Sequence, residues 1–183
     1  DSSGYFNLTG GNNTFIGRSA GQANTTGASN TFIGRGAGDA NTTANGNTFI
    51  GATAGTSTIT GASNTFVGNA AGDVNTASNN VFVGADAGGA NTTGTFNTFL
   101  GTSAGLLNVT GTSNTFVGKG AGDANTASDN TFVGTDAGGA NTTGTSNTFL
   151  GTSAGLLNVT GTSNTYVGKG AGDASTASDN TFV

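Results

Sequence analysis

The sequence predicts an all-β fold, a parallel β-solenoid (β-roll) of about eleven short coils, with 1–183 a single repeat array. Three observations predict it: aromatics at a fixed spacing, an aliphatic residue after nearly every one, and Gly-rich, Asn-rich turns between them. Phe15, Phe32, Phe49, Phe66, Phe82, Phe99, Phe116, Phe132, Phe149, Tyr166 and Phe182 form the aromatic series. Successive members stand seventeen positions apart, except that the steps to Phe82, Phe132 and Phe182 are sixteen. A period of this size, one supersecondary unit long, is the mark of a solenoid. Each unit reads N-T-F-[IVL]-G-x-x-A-G-x-x-N-T-T-G-x-S, and the shorter form loses one position in its second turn. A higher order lies on top, because residues 84–133 and 134–183 differ only at Ala85/Thr135, Phe96/Ser146, Phe116/Tyr166 and Asn125/Ser175.

The segment N-T-F-I-G is rich in β-formers and bounded by Asn and Gly, so it is the strand. Helix is excluded, since each interior Gly costs about 1 kcal/mol and no 3.6-residue stripe is present. The aromatic column fills the coil interior. A second inward column of Ala20, Ala37, Ala54, Ala71, Ala87, Ala104, Ala121, Ala137, Ala154 and Ala171 faces it. Burying each ring contributes roughly 1.5–3 kcal/mol. Gly after each aliphatic residue and after each Ala marks corners of positive φ or close approach.

Asn13, Asn30, Asn47, Asn64, Asn80, Asn97, Asn114, Asn130, Asn147, Asn164 and Asn180 form a column read as a corner ladder, with amides bonded along the axis. The functional candidate is the residue after each aromatic: Ile16, Ile33, Ile50, Val67, Val83, Leu100, Val117, Val133, Leu150, Val167 and Val183. Adjacent strand residues point to opposite faces. With the rings inside, this aliphatic column points out along the whole array, and such stripes are normally covered. It is therefore expected to be an interface between sister chains. The alternative is a bulge or flattened corner that turns both columns inward.

The N-T-F-[IV]-G units with their A-G and N-T-T-G turns resemble the head repeats of trimeric autotransporter adhesins and related phage tail-fibre-like repeats, over essentially the whole chain. The resemblance implies a left-handed roll in a homotrimer, with the aliphatic column on the three-fold axis. The coils are longer than the common adhesin repeat, and the core carries Phe where that repeat has a small aliphatic residue.

Composition narrows function further. The chain has no Cys, His, Met, Trp, Pro or Glu, which removes most general-base, nucleophile and transition-metal chemistry, so neither an enzyme nor a cofactor is expected. With 7% charged residues and a net charge of −5, it offers no basic stripe for nucleic acid. No apolar run approaches the ~20 residues of a membrane span. The chain opens on Asp1 and stops at Val183 without capping units, which reads as an in-frame slice of a longer array.

The Gly118–Gly122 and Gly168–Gly172 stretches lack the order and the following helix of a phosphate loop. Arg18, Arg35, Lys119 and Lys169 share one position, and Asp39, Asp73, Asp123 and Asp173 sit four positions further on, so exposed ion pairs across the A-G turn are expected. The Asp column is too spread for calcium, and Asp86, Asp136, Asp129 and Asp179 read as solvated charges. Sequons at Asn7, Asn12, Asn24, Asn41, Asn91, Asn108, Asn141 and Asn158 read as turn chemistry, with glycan rows as the alternative.

Together these features predict a structural or adhesive segment of an extracellular fibre, at a cell surface or on a virion, partnered by itself and by a surface receptor. The alternatives are an ice-binding solenoid, using the Thr column beside the aromatics, and a subunit of a self-polymerising extracellular filament.

Overall fold

The structure, a computed structural model, describes residues 2–183; Asp1 lies outside it. Eleven strands follow in chain order: Thr14–Ile16 (β1), Thr31–Ile33 (β2), Thr48–Ile50 (β3), Thr65–Val67 (β4), Val81–Val83 (β5), Thr98–Leu100 (β6), Thr115–Val117 (β7), Thr131–Val133 (β8), Thr148–Leu150 (β9), Thr165–Val167 (β10) and Thr181–Phe182 (β11). They form one parallel sheet in sequence order, in register ring on ring, with one turn of the solenoid between successive strands. Val183 lies just past the end of β11.

Each strand is short because the chain turns at once. In the coil of Phe99, Gly101, Ser103 and Gly105 have φ of 141°, 56° and 58°. Axial bonding continues through these turns. Gly101 N–H donates to the Val83 carbonyl one coil back, Ser103 N–H to Ala85, and Gly105 N–H to Ala121 one coil on (2.7, 2.9 and 3.0 Å). Each coil is thus bonded to both neighbours on every side, which lets so short a strand persist from rung to rung.

The interior divides lengthwise into an apolar lane and a polar lane. In the apolar lane, rings from Phe32 to Phe182 stack 4.7–4.9 Å apart with planes within 4–10°. The spacing is that of β-strands, so backbone ladder and ring stack share one pitch. The Ala column is buried beside the rings as expected, except for Ala171, which is partly buried. Two of the expected core rings depart from the pattern. Phe15 is half-buried and Phe182 exposed, because a terminal ring is covered by a neighbouring rung on one side only.

The polar lane holds two Asn columns. The predicted one is buried from Asn30 to Asn164, with Asn13 and Asn180 half-buried at the ends. Its bonding corrects the expectation of an amide-to-amide ladder. Asn97 Oδ1 accepts the Asn114 backbone N–H (3.0 Å), and Asn97 Nδ2 donates to the Gly111 carbonyl (2.8 Å). Side chain pairs with backbone over most of the column; amide-to-amide bonds along it occur only from Asn164 to Asn147 and from Asn180 to Asn164 (3.1 Å each).

Candidate functional site

The described surface has no pocket, so the residues that can act are the columns on its faces. On the strand face the pattern is unambiguous: the aromatic is buried while the residues on either side of it are exposed or half-buried. Ile16, Ile50, Val83, Leu100 and Leu150 are 37–57% exposed, and Ile33, Val67, Val117, Val133 and Val167 are half-buried. Val183, beyond the last strand, is exposed. The flattened-corner alternative is ruled out by this alternation. Parallel registration then stacks the aliphatic side chains into one continuous stripe, with the Thr column alongside it.

The second Asn column, which reads from the sequence as turn chemistry, is interior. Asn24, Asn41, Asn75, Asn91, Asn108, Asn125, Asn141 and Asn158 are fully buried, and here amides bond along the axis from Asn24 to Asn7 and in an unbroken run from Asn141 back to Asn75. Asn24 Nδ2 donates to Asn7 Oδ1 (2.8 Å) and Asn108 Nδ2 to Asn91 Oδ1 (3.1 Å). This overturns the glycan-row alternative for the six sequons at Asn24, Asn41, Asn91, Asn108, Asn141 and Asn158. Their side chains point into the coil, and only those at Asn7 and Asn12 are exposed. A signal existed: Asn108 lies between Leu107 and Val109, and strict alternation puts it opposite them. Apolar residues here face out, so the usual polarity rule inverts the reading.

The short coils explain a further detail. In the longer coils a Gly such as Gly94 follows the amide by three, and its carbonyl accepts from Asn91 Nδ2 (3.0 Å). A Cβ on Gly94 would lie 2.4 Å from Asn91 Oδ1. The shorter coils contract this turn, so Asn125 bonds instead to the Ala127 carbonyl two positions on (2.7 Å). Ala44 puts a methyl group at the Gly position of a longer coil. There both amide atoms of Asn41 are buried without a partner, as is the Thr58 hydroxyl that replaces the next amide. Buried unsatisfied groups cost about 1–3 kcal/mol each. The double change Ala44→Gly, Thr58→Asn is therefore expected to raise stability by about 2 kcal/mol after the entropy cost of the new Gly. Urea unfolding followed by circular dichroism measures it.

Electrostatics also depart from expectation. Burial alone pushes the Asp39 carboxyl up, with no lowering from Arg35. Burial, then the charge of Asp86, raises Asp73 against the Val74 N–H that lowers it. Asp123 is raised by burial and by Asp136, with the Ala124 N–H opposing. Burial is the leading cause for all three of these carboxyls, and no Arg or Lys is among the groups that lower them. Asp86 and Asp136 are exposed as expected, and their charges raise the neighbouring Asp73 and Asp123 carboxyls. Among the described residues no three acidic groups gather as metal ligands.

A carboxyl with a folded value above its unfolded value destabilises the fold when ionised, and protonation removes that penalty. Stability is expected to rise as pH falls through the raised folded values toward 3.8. Thermal midpoints at pH 7 and pH 4 measure the rise, and Asp73→Asn with Asp123→Asn should reduce it.

No protein-family model, curated protein or solved structure matches the chain. The strand-face stripe remains the site with the clearest physical demand for a partner. No helix among the described residues is long and apolar enough to cross a membrane.

Proposed function

We propose that this chain is a structural and adhesive segment of an extracellular fibrous protein, at a cell surface or on a virion, and that it works as a homo-oligomer, with three copies favoured. The observation that carries the reading is the in-register aliphatic column on the outer side of β1–β10. Its apolar area, left in water, is a standing cost that a sister chain presenting the same column removes at about 25 cal/mol per Å². A closed symmetric arrangement covers every copy's column alike. Three copies are favoured by the resemblance of the N-T-F-[IV]-G units to trimeric adhesin heads. The stiff rod that follows holds a receptor-binding surface away from its anchor.

Sedimentation velocity and native mass measurement test this. The wild-type chain is expected as a discrete oligomer. Ile33→Asp with Val117→Asp should shift it to monomer while the β-sheet circular dichroism persists. A wild-type chain that stays monomeric in dilute buffer overturns the proposal.

Ice binding is favoured by one feature, the outward Thr column of the strand face, which is broken only at Val81. The second Thr row is less suited to it. The hydroxyls of Thr25, Thr92, Thr126 and Thr142 donate to carbonyls of the next coil (2.9–3.1 Å) and are spent on the fold. A thermal-hysteresis assay separates this reading from the adhesive one.

A further inference from the structure

The other long side of each coil carries the residues that flank the second Asn column, and this turn face has a pattern of its own. Ile59, Val74, Leu107, Val109, Leu157 and Val159 are exposed on it. Val74 lies in the coil of Phe66, beside the first ridge; the others fall in the coils of Phe49, Phe99 and Phe149, one coil in three, so the ridges recur at about 14 Å given the ring spacing of 4.7–4.9 Å. Those three coils carry no charged residue between their aromatic and the next. Between the last two ridges lie two coils bearing only Ala124 and Thr126, then Ala140 and Thr142, at the equivalent positions.

Backbone bonding marks the same places. Thr92, Thr126 and Thr142 N–H groups donate to the next coil (3.0, 3.1 and 2.9 Å), whereas Ile59, Val109 and Val159 make no such bond. The coil after each of these is a shorter one with the contracted turn, so each ridge stands at a step. Inside the same face the side chains are buried amides. A face polar within and apolar without gains little from folding unless its outside is covered.

We propose that the turn face docks on the same face of a second copy, ridges of one chain seated in the two-coil troughs of the other. The occupant follows from the period. Contacts at several ridges add only when the partner's spacing matches, and a second copy of this chain carries the same three-coil repeat. An uncharged ridge meeting an Ala and Thr trough brings no like charges together. This contact uses a different side from the strand face, so it joins strand-face oligomers laterally into bundles.

Lateral association is read by light scattering and electron microscopy of the full chain, and the strand-face oligomer separately by sedimentation velocity. Leu107→Glu with Leu157→Glu is expected to raise the concentration needed for bundling at least tenfold while the small oligomer persists. Filling the trough with Ala124→Leu and Ala140→Leu should also weaken bundling, although it makes the face more apolar. Stronger bundling of the trough-filled variant would show nonspecific adhesion and overturn the proposal. So would wild-type bundling by the Glu variant, or a wild type that never bundles. A chain monomeric by its strand face that still pairs through the ridges would defeat the adhesive reading alone.

Discussion

Truncating Phe99 to alanine is expected to cost about 3–5 kcal/mol and to split the array into two independently melting halves. The ring is fully buried and stacks on Phe82 and Phe116 at 4.8 Å on each side. Each stacked contact contributes about 0.5–1.5 kcal/mol beyond the buried area. Nothing can move in to fill the space. Across the ring lies Gly105, where even a Cβ would come within 2.5 Å of the Phe99 edge, and Ala104 is the neighbouring apolar side chain. The expected record is a broadened or two-step urea transition and new proteolytic cleavage between Phe82 and Phe116. A single transition at the wild-type midpoint would refute the idea that the ring column carries continuity from coil to coil.

Gly101→Ala should be as damaging, by more than about 3 kcal/mol, through the backbone rather than the core. Its φ of 141° is a region open to Gly and strained for other residues, and the new methyl would sit 2.4 Å from the Gly118 carbonyl oxygen and 2.6 Å from its carbon. Neither atom can retreat without opening the axial bonds from Gly118 N–H to Leu100 and from Gly120 N–H to Thr102 (2.8 and 3.0 Å). Gly11→Ala is the matched control. It has ordinary φ and nothing within 4 Å of the added carbon, so it should change stability by no more than a few tenths of a kcal/mol. Equal thermal shifts for the two variants would show that glycine content as such, and not the approach of neighbouring coils, sets the tolerance.

The two changes differ in how readable their sites were. Phe99 could be placed from spacing alone, since rings recurring at so even an interval have one arrangement that stacks all of them. Gly101 could be marked as a corner, but not as the point where one coil's backbone touches the next. That contact joins Gly101 to Gly118, a full coil away in sequence, through main-chain atoms that every residue shares. Likewise Ala44 looks like an ordinary Gly-to-Ala variation until the Asn41 amide is seen to have lost its carbonyl.

Composition and period by themselves determined the solenoid, its number of rungs and the inward aromatic and Ala columns, because a fixed repeat stacks like residues on like. The sequence left a flattened corner open for the aliphatic column, and the exposed or half-buried flanks of each buried ring decided that it faces out. The tertiary structure alone decided that Asn24 and its equivalents lie inside and that Leu107 and Val109 lie outside. A buried amide is acceptable only where the coils above and below complete its hydrogen bonds, and that geometry exists only once the coils are stacked.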